Sequence, residues 1–246
     1  TFINNRLSII APLLWESELF EYQINTPQQP AQKMLIFLHG YNDSVANYRQ
    51  IFDLFCQNLP LCYVAMPQSP EICDKNPQQR QWFGMQQYDP QNRRINPLAS
   101  VQEIFEIYQK ATADINKCAA ELNIFIDELQ KKYNISDSQT YLAGFSQGAM
   151  LTLYTALSRQ KALGGAFVLS GLAAGRKLLA GKIAARPPLY LFHGKDDLKV
   201  QYKTLNSTVL WLKKQKITPQ IFIYDGLTHH INMAEITQIC SIINQE

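Results

Sequence analysis

The sequence predicts an α/β fold in which a mostly parallel central sheet is flanked by helices. Short apolar runs closed by turn residues alternate with longer segments of helical period, which is the pattern of parallel strands joined by crossover helices. The chain has 246 residues, enough for one large α/β domain and few for two ordinary ones. We therefore expect a single domain that spans residues 1–246.

Seven apolar runs are predicted to be strands. They are Phe20 to Ile24, Met34 to Leu38, Leu61 to Met66, Thr140 to Ala143, Ala166 to Leu169, Leu189 to Phe192 and Ile221 to Tyr224. Several runs end directly in Gly or Pro, as in Leu38-His39-Gly40 and Phe192-His193-Gly194. Ligands of open α/β sheets collect beyond the carboxyl ends of the strands, so we expect the functional residues there.

The segments between these runs are predicted to be helices and one long loop. Apolar residues between Val101 and Tyr133 recur at steps of three and four, which predicts an amphipathic helix, either continuous or broken once. The segment after Ser146 is apolar nearly all round and is predicted to be a helix buried against the sheet. Ile231 to Ile243 is again amphipathic. Residues Gln68 to Asn96 are polar and without period, which predicts a long loop near the site.

Charge and composition exclude several classes of protein. The chain has 23 Lys and Arg against 20 Asp and Glu, and this net charge of +3 does not indicate a nucleic-acid partner. The basic clusters Asn92-Arg93-Arg94, Lys131-Lys132 and Lys213-Lys214-Gln215-Lys216 are interpreted as solvated surface. No apolar run reaches the length of a transmembrane segment, and Thr1 to Ile10 lacks the pattern of a secretory signal. The five cysteines form no C-x-x-C pair, which is typical of free thiols in a reducing compartment, so a cytoplasmic protein is expected.

One short motif indicates chemistry. Gly144-Phe145-Ser146-Gln147-Gly148 follows a predicted strand and opens a predicted helix, the context of a nucleophile elbow. Such a Ser needs a His as base and an acid that orients the His. Asp196 and Asp197 follow one later strand, and His229 and His230 follow the next. The order Ser, Asp, His is that of the α/β-hydrolase fold.

The same fold requires an oxyanion hole made of two backbone N–H groups. The residue after the nucleophile, Gln147, would supply one donor. Tyr41, in the loop after the strand that ends at Leu38, would supply the other. His39 and His193, also at strand ends, are interpreted as structural residues that bind backbone groups of the turns.

These motifs together resemble those of the carboxylesterase/phospholipase family of α/β-hydrolases, which contains acyl-protein thioesterases and lysophospholipases. The matching pieces, in family order, are Leu38-His39-Gly40, Met66-Pro67-Gln68-Ser69-Pro70, Trp82-Phe83, Gly144 to Gly148, His193-Gly194 with Asp197 and Val200, and Gly226 with His229. The resemblance implies Ser146 as nucleophile, Asp197 rather than Asp196 as triad acid, and His229 rather than His230 as base. It also implies that Trp82 and Phe83 form a wall of the acyl pocket.

The chain departs from the family pattern at three positions. Gly84 stands in place of the Asp of the W-F-D motif, Asn42 in place of the usual Gly after the oxyanion residue, and Gln201 in place of a frequent Pro. Asn42 suits that turn because Asn tolerates the left-handed backbone conformation.

The leading functional hypothesis is a serine hydrolase of carboxylic esters or thioesters that needs no metal and no organic cofactor. A small ester, a lysophospholipid and an acylated protein all present the same carbonyl, so the sequence leaves the substrate open among them. Two alternatives are a non-catalytic binding protein on the same fold and an acyltransferase that uses the same triad. Monomer and homodimer are equally open.

Overall fold

The computed structural model describes residues 15–17, 19–27 and 29–245, so the predicted absence of a signal in Thr1 to Ile10 lies outside the described residues. The strands are Trp15–Glu16 (β1), Glu21–Ile24 (β2), Lys33–Leu38 (β3), Cys62–Pro67 (β4), Glu71–Ile72 (β5), Arg80–Gln81 (β6), Thr140–Phe145 (β7), Gly165–Leu169 (β8), Leu189–Gly194 (β9) and Gln220–Tyr224 (β10). The α-helices are Arg49–Asn58 (α1), Val101–Lys110 (α2), Thr112–Tyr133 (α3), Gln147–Ser158 (α4), Arg176–Ala180 (α5), Lys203–Lys214 (α6) and Met233–Gln245 (α7).

Eight of these strands form one sheet in the order β1-β2-β4-β3-β7-β8-β9-β10. In this order, β4, β3, β7, β8, β9 and β10 pair in parallel, whereas β1 and β2 are antiparallel at one edge. The predicted α/β architecture with a mostly parallel sheet is therefore confirmed. All seven predicted runs lie in strands of this sheet, with ends shifted by one or two residues.

Helices cover both faces of the sheet, which explains why the strands are apolar at successive positions. On β3, Leu35 and Phe37 pack into a core cluster with residues of α1 and α7. Met34, Ile36 and Leu38 point to the opposite face and pack into a second cluster with residues of α2, α3, α4 and α6. Side chains alternate between the two faces of a strand, so both sets must be apolar.

The helical predictions agree with the structure. The long amphipathic segment is broken once, at Ala111 between α2 and α3, and its start is stabilised by a capping box between Ser100 and Glu103. Residues 147–157 of α4 are all buried, as the uniformly apolar pattern predicts. Within the described ranges, none of the helices combines the length and the apolar character that a membrane crossing requires.

The polar segment from Gln68 to Asn96 is more ordered than its lack of period suggested. It contains the short antiparallel pair of β5 and β6 and a 3₁₀ turn at Arg93–Ile95. Strands of two residues are too short to produce a periodic pattern, so the sequence could not indicate them. Backbone hydrogen bonds pair Arg80 of this segment with Asp43, which lies in the loop after the carboxyl end of β3.

Candidate active site

Ser146 stands at the sharp turn between β7 and α4. Its backbone has φ 56° and ψ −115°, a conformation that L-residues rarely adopt. The flanking glycines make the turn possible because there is no space for a Cβ atom at either position. A Cβ on Gly144 would lie 2.5 Å from the Gly148 carbonyl, and a Cβ on Gly148 would lie 2.5 Å from the carbonyl oxygens of Leu38 and His39. The turn therefore has the geometry of a nucleophile elbow.

Three side chains form a continuous hydrogen-bond chain at this turn. Ser146 Oγ lies 3.0 Å from His229 Nε2, and His229 Nδ1 lies 2.7 Å from Asp197 Oδ2. An ionised carboxylate only accepts, so the neutral imidazole carries its proton on Nδ1 and leaves Nε2 free to accept from the Ser146 hydroxyl. The imidazole ring also lies against Phe145, with ring centroids 4.7 Å apart.

Asp197 is held in an ionised state although it is buried. Its Oδ1 accepts hydrogen bonds of 2.8 Å from the Lys199 N–H and 3.0 Å from the Val200 N–H. Burial raises the pKa of Asp197, but the hydrogen bond from His229, the electrostatic contributions of His229 and His193, and the hydrogen bond from the Lys199 N–H outweigh burial and leave the pKa below its usual value. The carboxylate is therefore ionised at neutral pH and can orient the imidazole.

The competing residues of the two adjacent pairs lie outside this chain. Asp196 is exposed, and its side chain makes no contact with His229 in the part of the chain that the structure describes. His230 is also exposed, and its Nδ1 lies 3.0 Å from the Thr228 hydroxyl. The structure thus brings Asp197 and His229 to Ser146 and leaves Asp196 and His230 at the surface.

The other two histidines brace the turns around the site. His39 Nδ1 donates to the Gly40 carbonyl at 2.8 Å, and its Nε2 accepts from the Ser69 N–H at 3.1 Å. Burial lowers the pKa of His39 to about 4. His193 Nε2 donates to the Val200 carbonyl at 2.8 Å, and burial lowers its pKa as well. Both rings are neutral and bind backbone groups, as the sequence interpretation expects.

The backbone N–H groups of Tyr41 and Gln147 are the candidate oxyanion donors. Both residues line the same cavity as Ser146. Across the described ranges, neither N–H group donates to an acceptor of the protein itself. Asn42, next to Tyr41, has φ 57°, which is the left-handed conformation expected for it. A carbonyl oxygen bound at Ser146 would find the two donors unoccupied.

Trp82 and Phe83 do not form a wall of this cavity, contrary to the expectation from the sequence. Trp82 is 1% exposed and Phe83 is 0% exposed, and neither lines the cavity. Their backbone instead binds the side chain of Gln147, whose Oε1 accepts from the Trp82 N–H at 2.9 Å and whose Nε2 donates to the Phe83 carbonyl at 2.7 Å. The Trp82 indole N–H donates to the His39 carbonyl at 2.8 Å. Trp82 and Phe83 therefore contact Gln147 and His39 from within the core and do not face the cavity.

The cavity at Ser146 has a volume of about 270 Å³. Its walls combine apolar, phenolic and cationic side chains, namely Met85, Ile95, Met150, Val200, Tyr41, Tyr108, Lys75, Arg94 and Lys199. Arg94 was interpreted as solvated surface, but its side chain is 7% exposed and forms an ion pair of 2.8 Å with buried Asp89. A basic pair in a polar loop carries no signal of burial. The one hint in the sequence was the predicted position of this loop near the site.

Comparison with known proteins places the chain among esterases. The model of the phospholipase/carboxylesterase family matches residues 21–246. Carboxylesterase SOBER1 of Arabidopsis thaliana is 25% identical over 222 residues, which are 87% of this chain and 91% of that protein. Acyl-protein thioesterase 1 of Candida albicans is 26% identical over 227 residues, with the same coverage of 87% and 91%. The crystal structure of esterase PE8 has the same fold, with a TM-score of 0.77, 22% identity, and coverage of 92% of this chain and 98% of that chain.

Proposed function

The chain belongs to the phospholipase/carboxylesterase family, and we propose on that basis that it hydrolyses carboxylic esters or thioesters through an acyl-enzyme on Ser146. The resemblance that the motifs indicated is thereby confirmed, and as a member of this family the chain is a carboxylic ester hydrolase. The observation that supports the catalytic roles is the hydrogen-bond chain from Asp197 through His229 to Ser146, with contacts of 2.7 and 3.0 Å at the floor of a cavity.

In the first half of the reaction, Ser146 Oγ attacks the acyl carbonyl while His229 Nε2 takes its proton. The carbonyl oxygen becomes an oxyanion that the N–H groups of Tyr41 and Gln147 stabilise. Asp197 keeps the proton on Nδ1 and stabilises the imidazolium that forms. His229 then donates the proton to the leaving alcohol or thiol, and the acyl group stays on Ser146.

In the second half, His229 accepts a proton from water, and the hydroxide attacks the acyl-enzyme at the same carbonyl. The two N–H groups again stabilise the oxyanion, and collapse of the tetrahedral intermediate releases the carboxylic acid and restores the Ser146 hydroxyl. Each oxyanion donor in such a site contributes about a hundred- to a thousandfold to the rate.

The two alternative functions make different predictions about this site. A binding protein that has lost activity would not be required to keep the strained Ser146 backbone or the aligned imidazole, so the geometry favours the enzyme. An acyltransferase would use the same acyl-enzyme with an acceptor other than water. Product analysis separates a hydrolase from an acyltransferase, because a hydrolase yields free acid whether or not an alcohol acceptor is present.

The relatives named above are a carboxylesterase and an acyl-protein thioesterase, and both classes of substrate present an acyl carbonyl to the nucleophile. A cavity of about 270 Å³ lies near the lower end of the range for small-molecule sites. We therefore propose that short acyl groups are preferred over long ones.

The test is hydrolysis of p-nitrophenyl esters from acetyl to palmitoyl, with the Ser146→Ala variant as the blank. We expect release of p-nitrophenol that depends on Ser146 and is fastest for the shorter acyl groups. A fluorophosphonate probe should label the native chain and leave Ser146→Ala unlabelled, since only an activated serine reacts. Equal turnover by the native chain and the variant would disprove the proposed mechanism.

A further inference from the structure

We infer that the cavity at Ser146 selects esters or thioesters that carry an anionic group, a carboxylate or a phosphate, close to the scissile carbonyl. The inference rests on the proposed function and deepens it by naming a substrate class. The relevant observation is that Lys75, Arg94 and Lys199 line this cavity, whereas none of the described residues that line it is Asp or Glu.

Lys75 and Arg94 converge on the residue that supplies one oxyanion donor. Lys75 Nζ lies 5.9 Å from the centroid of the Tyr41 ring, and Arg94 Cζ lies 5.8 Å from the same centroid. The proposed oxyanion donor and the aromatic ring that both cations approach therefore belong to the same residue. We expect a negative group bound by these cations to be joined to the scissile carbonyl by a short linker.

The nearby carboxylates are occupied by other partners. Asp89 forms the 2.8 Å ion pair with Arg94, so the charge of that guanidinium is balanced within the protein. Asp74 binds the Tyr41 hydroxyl through one oxygen and accepts from the N–H groups of Met85 and Gln86, at 2.8 and 2.7 Å, through the other.

Lys75, unlike Arg94, has no ion-pair partner among the described residues. Its ammonium binds the neutral side-chain oxygen of Asn92, and no carboxylate of the described residues lies within ion-pair distance of it. Partial desolvation and the repulsion of Arg94 lower the pKa of Lys75, although the charges of Asp74 and Asp89 act in the opposite direction. An anion at this point would relieve that repulsion, whereas a long neutral acyl chain would gain nothing from it.

The apolar part of the cavity indicates what connects the two ends of such a substrate. Met85, Met150 and Val200 line the cavity together with Ser146. A short hydrocarbon linker could pack against these side chains while its charged end reaches Lys75. The volume of about 270 Å³ suits such a small, bifunctional molecule.

The experiment compares matched pairs of substrates in two arms. In the first arm, the p-nitrophenyl ester of hexanoic acid is compared with the mono-p-nitrophenyl ester of adipic acid, whose acyl chain has the same length and ends in a carboxylate. In the second arm, monohexanoylglycerol is compared with hexanoylglycerol phosphate, which carries the negative charge on the alcohol. Every rate is corrected with Ser146→Ala.

We expect the anionic member of at least one pair to have a kcat/KM about tenfold higher, which corresponds to one hydrogen bond to a charged group. The arm that shows the preference identifies the side of the scissile bond on which the charge is bound. Lys75→Gln should remove most of the preference, measured as the ratio of kcat/KM for the anionic to that for the neutral member of the pair. Lys75→Arg should retain it, and so should Lys161→Gln, a matched control at an exposed lysine before β8.

The remaining outcomes separate the inference from the function on which it rests. Ser146-dependent turnover with no preference for the anionic member of either pair overturns the inference and leaves the proposed function intact. A preference that survives both Lys75→Gln and Lys199→Gln overturns the assignment to these lysines. Absence of Ser146-dependent turnover for all four substrates overturns the proposed function and the inference together.

Discussion

Gln147 Oε1 accepts a hydrogen bond of 2.9 Å from the backbone N–H of Trp82, which lies 65 positions earlier in the chain. Its Nε2 donates to the next carbonyl, that of Phe83, at 2.7 Å. The amide of Gln147 thus binds one N–H group and one carbonyl of the buried segment Trp82-Phe83. These two hydrogen bonds join the loop from Gln68 to Asn96 to the elbow. The backbone N–H of the same residue is a proposed oxyanion donor, so the order of the loop and the proposed catalysis involve the same residue.

Replacing Gln147 by Ala should cost stability and activity together. The variant keeps the backbone donor but leaves the Trp82 N–H and the Phe83 carbonyl without partners, at a cost of about 2–4 kcal/mol in the free energy of unfolding. We expect kcat/KM for a short p-nitrophenyl ester to fall about tenfold, because Trp82 also binds the His39 carbonyl beside the oxyanion loop. Urea unfolding and steady-state kinetics measure the two effects.

The matched control is Gln102→Ala on the exposed face of α2, where the amide donates to Glu106. We expect it to change stability by less than about 0.5 kcal/mol and to leave kcat/KM unchanged. A Gln147→Ala variant as stable as the native chain would show that the two hydrogen bonds contribute nothing.

The adjacent pair Asp196 and Asp197 offers an internal control for the proposed triad acid. Asp197→Asn retains the shape of the side chain but would accept poorly from His229 Nδ1 and favour the wrong tautomer of the imidazole. We expect kcat to fall by on the order of 10⁴, as in other triads. Asp196→Asn, at the exposed neighbour, should keep kcat within about twofold. Equal losses in the two variants would contradict the assigned role of Asp197.

The turn that carries Ser146 was predictable from the sequence because it is encoded locally. Gly144 and Gly148 mark the elbow through steric requirements that no other residue meets, and the strand ends indicated where the acid and base would follow. The central strands were predictable for a related reason, since burial on both faces produces continuous apolar runs such as Met34 to Leu38.

The roles of Trp82, Phe83 and Arg94 were not predictable because they depend on distant partners. An aromatic pair in a polar loop can face a cleft or a core, and here Gln147 on another element determines that it is buried. Arg94 is buried because Asp89 sits beside it in the folded loop, and no periodic pattern records such a pair. Side-chain contacts across a loop of this length are visible only in three dimensions.

The backbone of Ser146 should store strain that glycine would release. With φ 56° and ψ −115°, any residue with a Cβ atom is strained, whereas Gly adopts this region readily. Ser146→Ala and Ser146→Gly both lack the hydroxyl and differ chiefly in the Cβ. We expect Ser146→Gly to be more stable than Ser146→Ala by about 1 kcal/mol. This difference is the backbone strain that Gly relieves, reduced by the greater conformational entropy that Gly gives to the unfolded chain. Thermal unfolding in parallel measures the difference, and a more stable Ala variant would mean that the elbow is relaxed.

Two buried groups should give the stability of the protein opposite dependences on pH. Burial lowers the pKa of His39 from 6.5 to about 4. Between these two pH values the unfolded chain binds more protons than the folded chain. The free energy of unfolding therefore decreases by about 3 kcal/mol at this residue as pH falls from 6.5 through 4. Burial raises the pKa of Glu235 from 4.5 to about 7, with a smaller effect of Asp197 in the same direction. The folded chain then binds more protons, so about 3 kcal/mol is lost as pH rises from 4.5 through 7.

Glu235→Gln should therefore separate the two effects. Gln mimics the protonated carboxyl and can keep the acceptor for the Asn232 N–H, which binds Glu235 Oε2 at 2.9 Å at the start of α7. We expect the variant to match the native chain near pH 4 and to exceed its stability by about 3 kcal/mol near pH 8. Its stability should fall steeply on acidification below pH 6.5, because the loss at His39 is no longer offset.

The exposed control Glu106→Gln should follow the native curve within about 0.5 kcal/mol. Coincident curves for the native chain and Glu235→Gln at pH 8 would mean that burial does not favour the neutral form of Glu235.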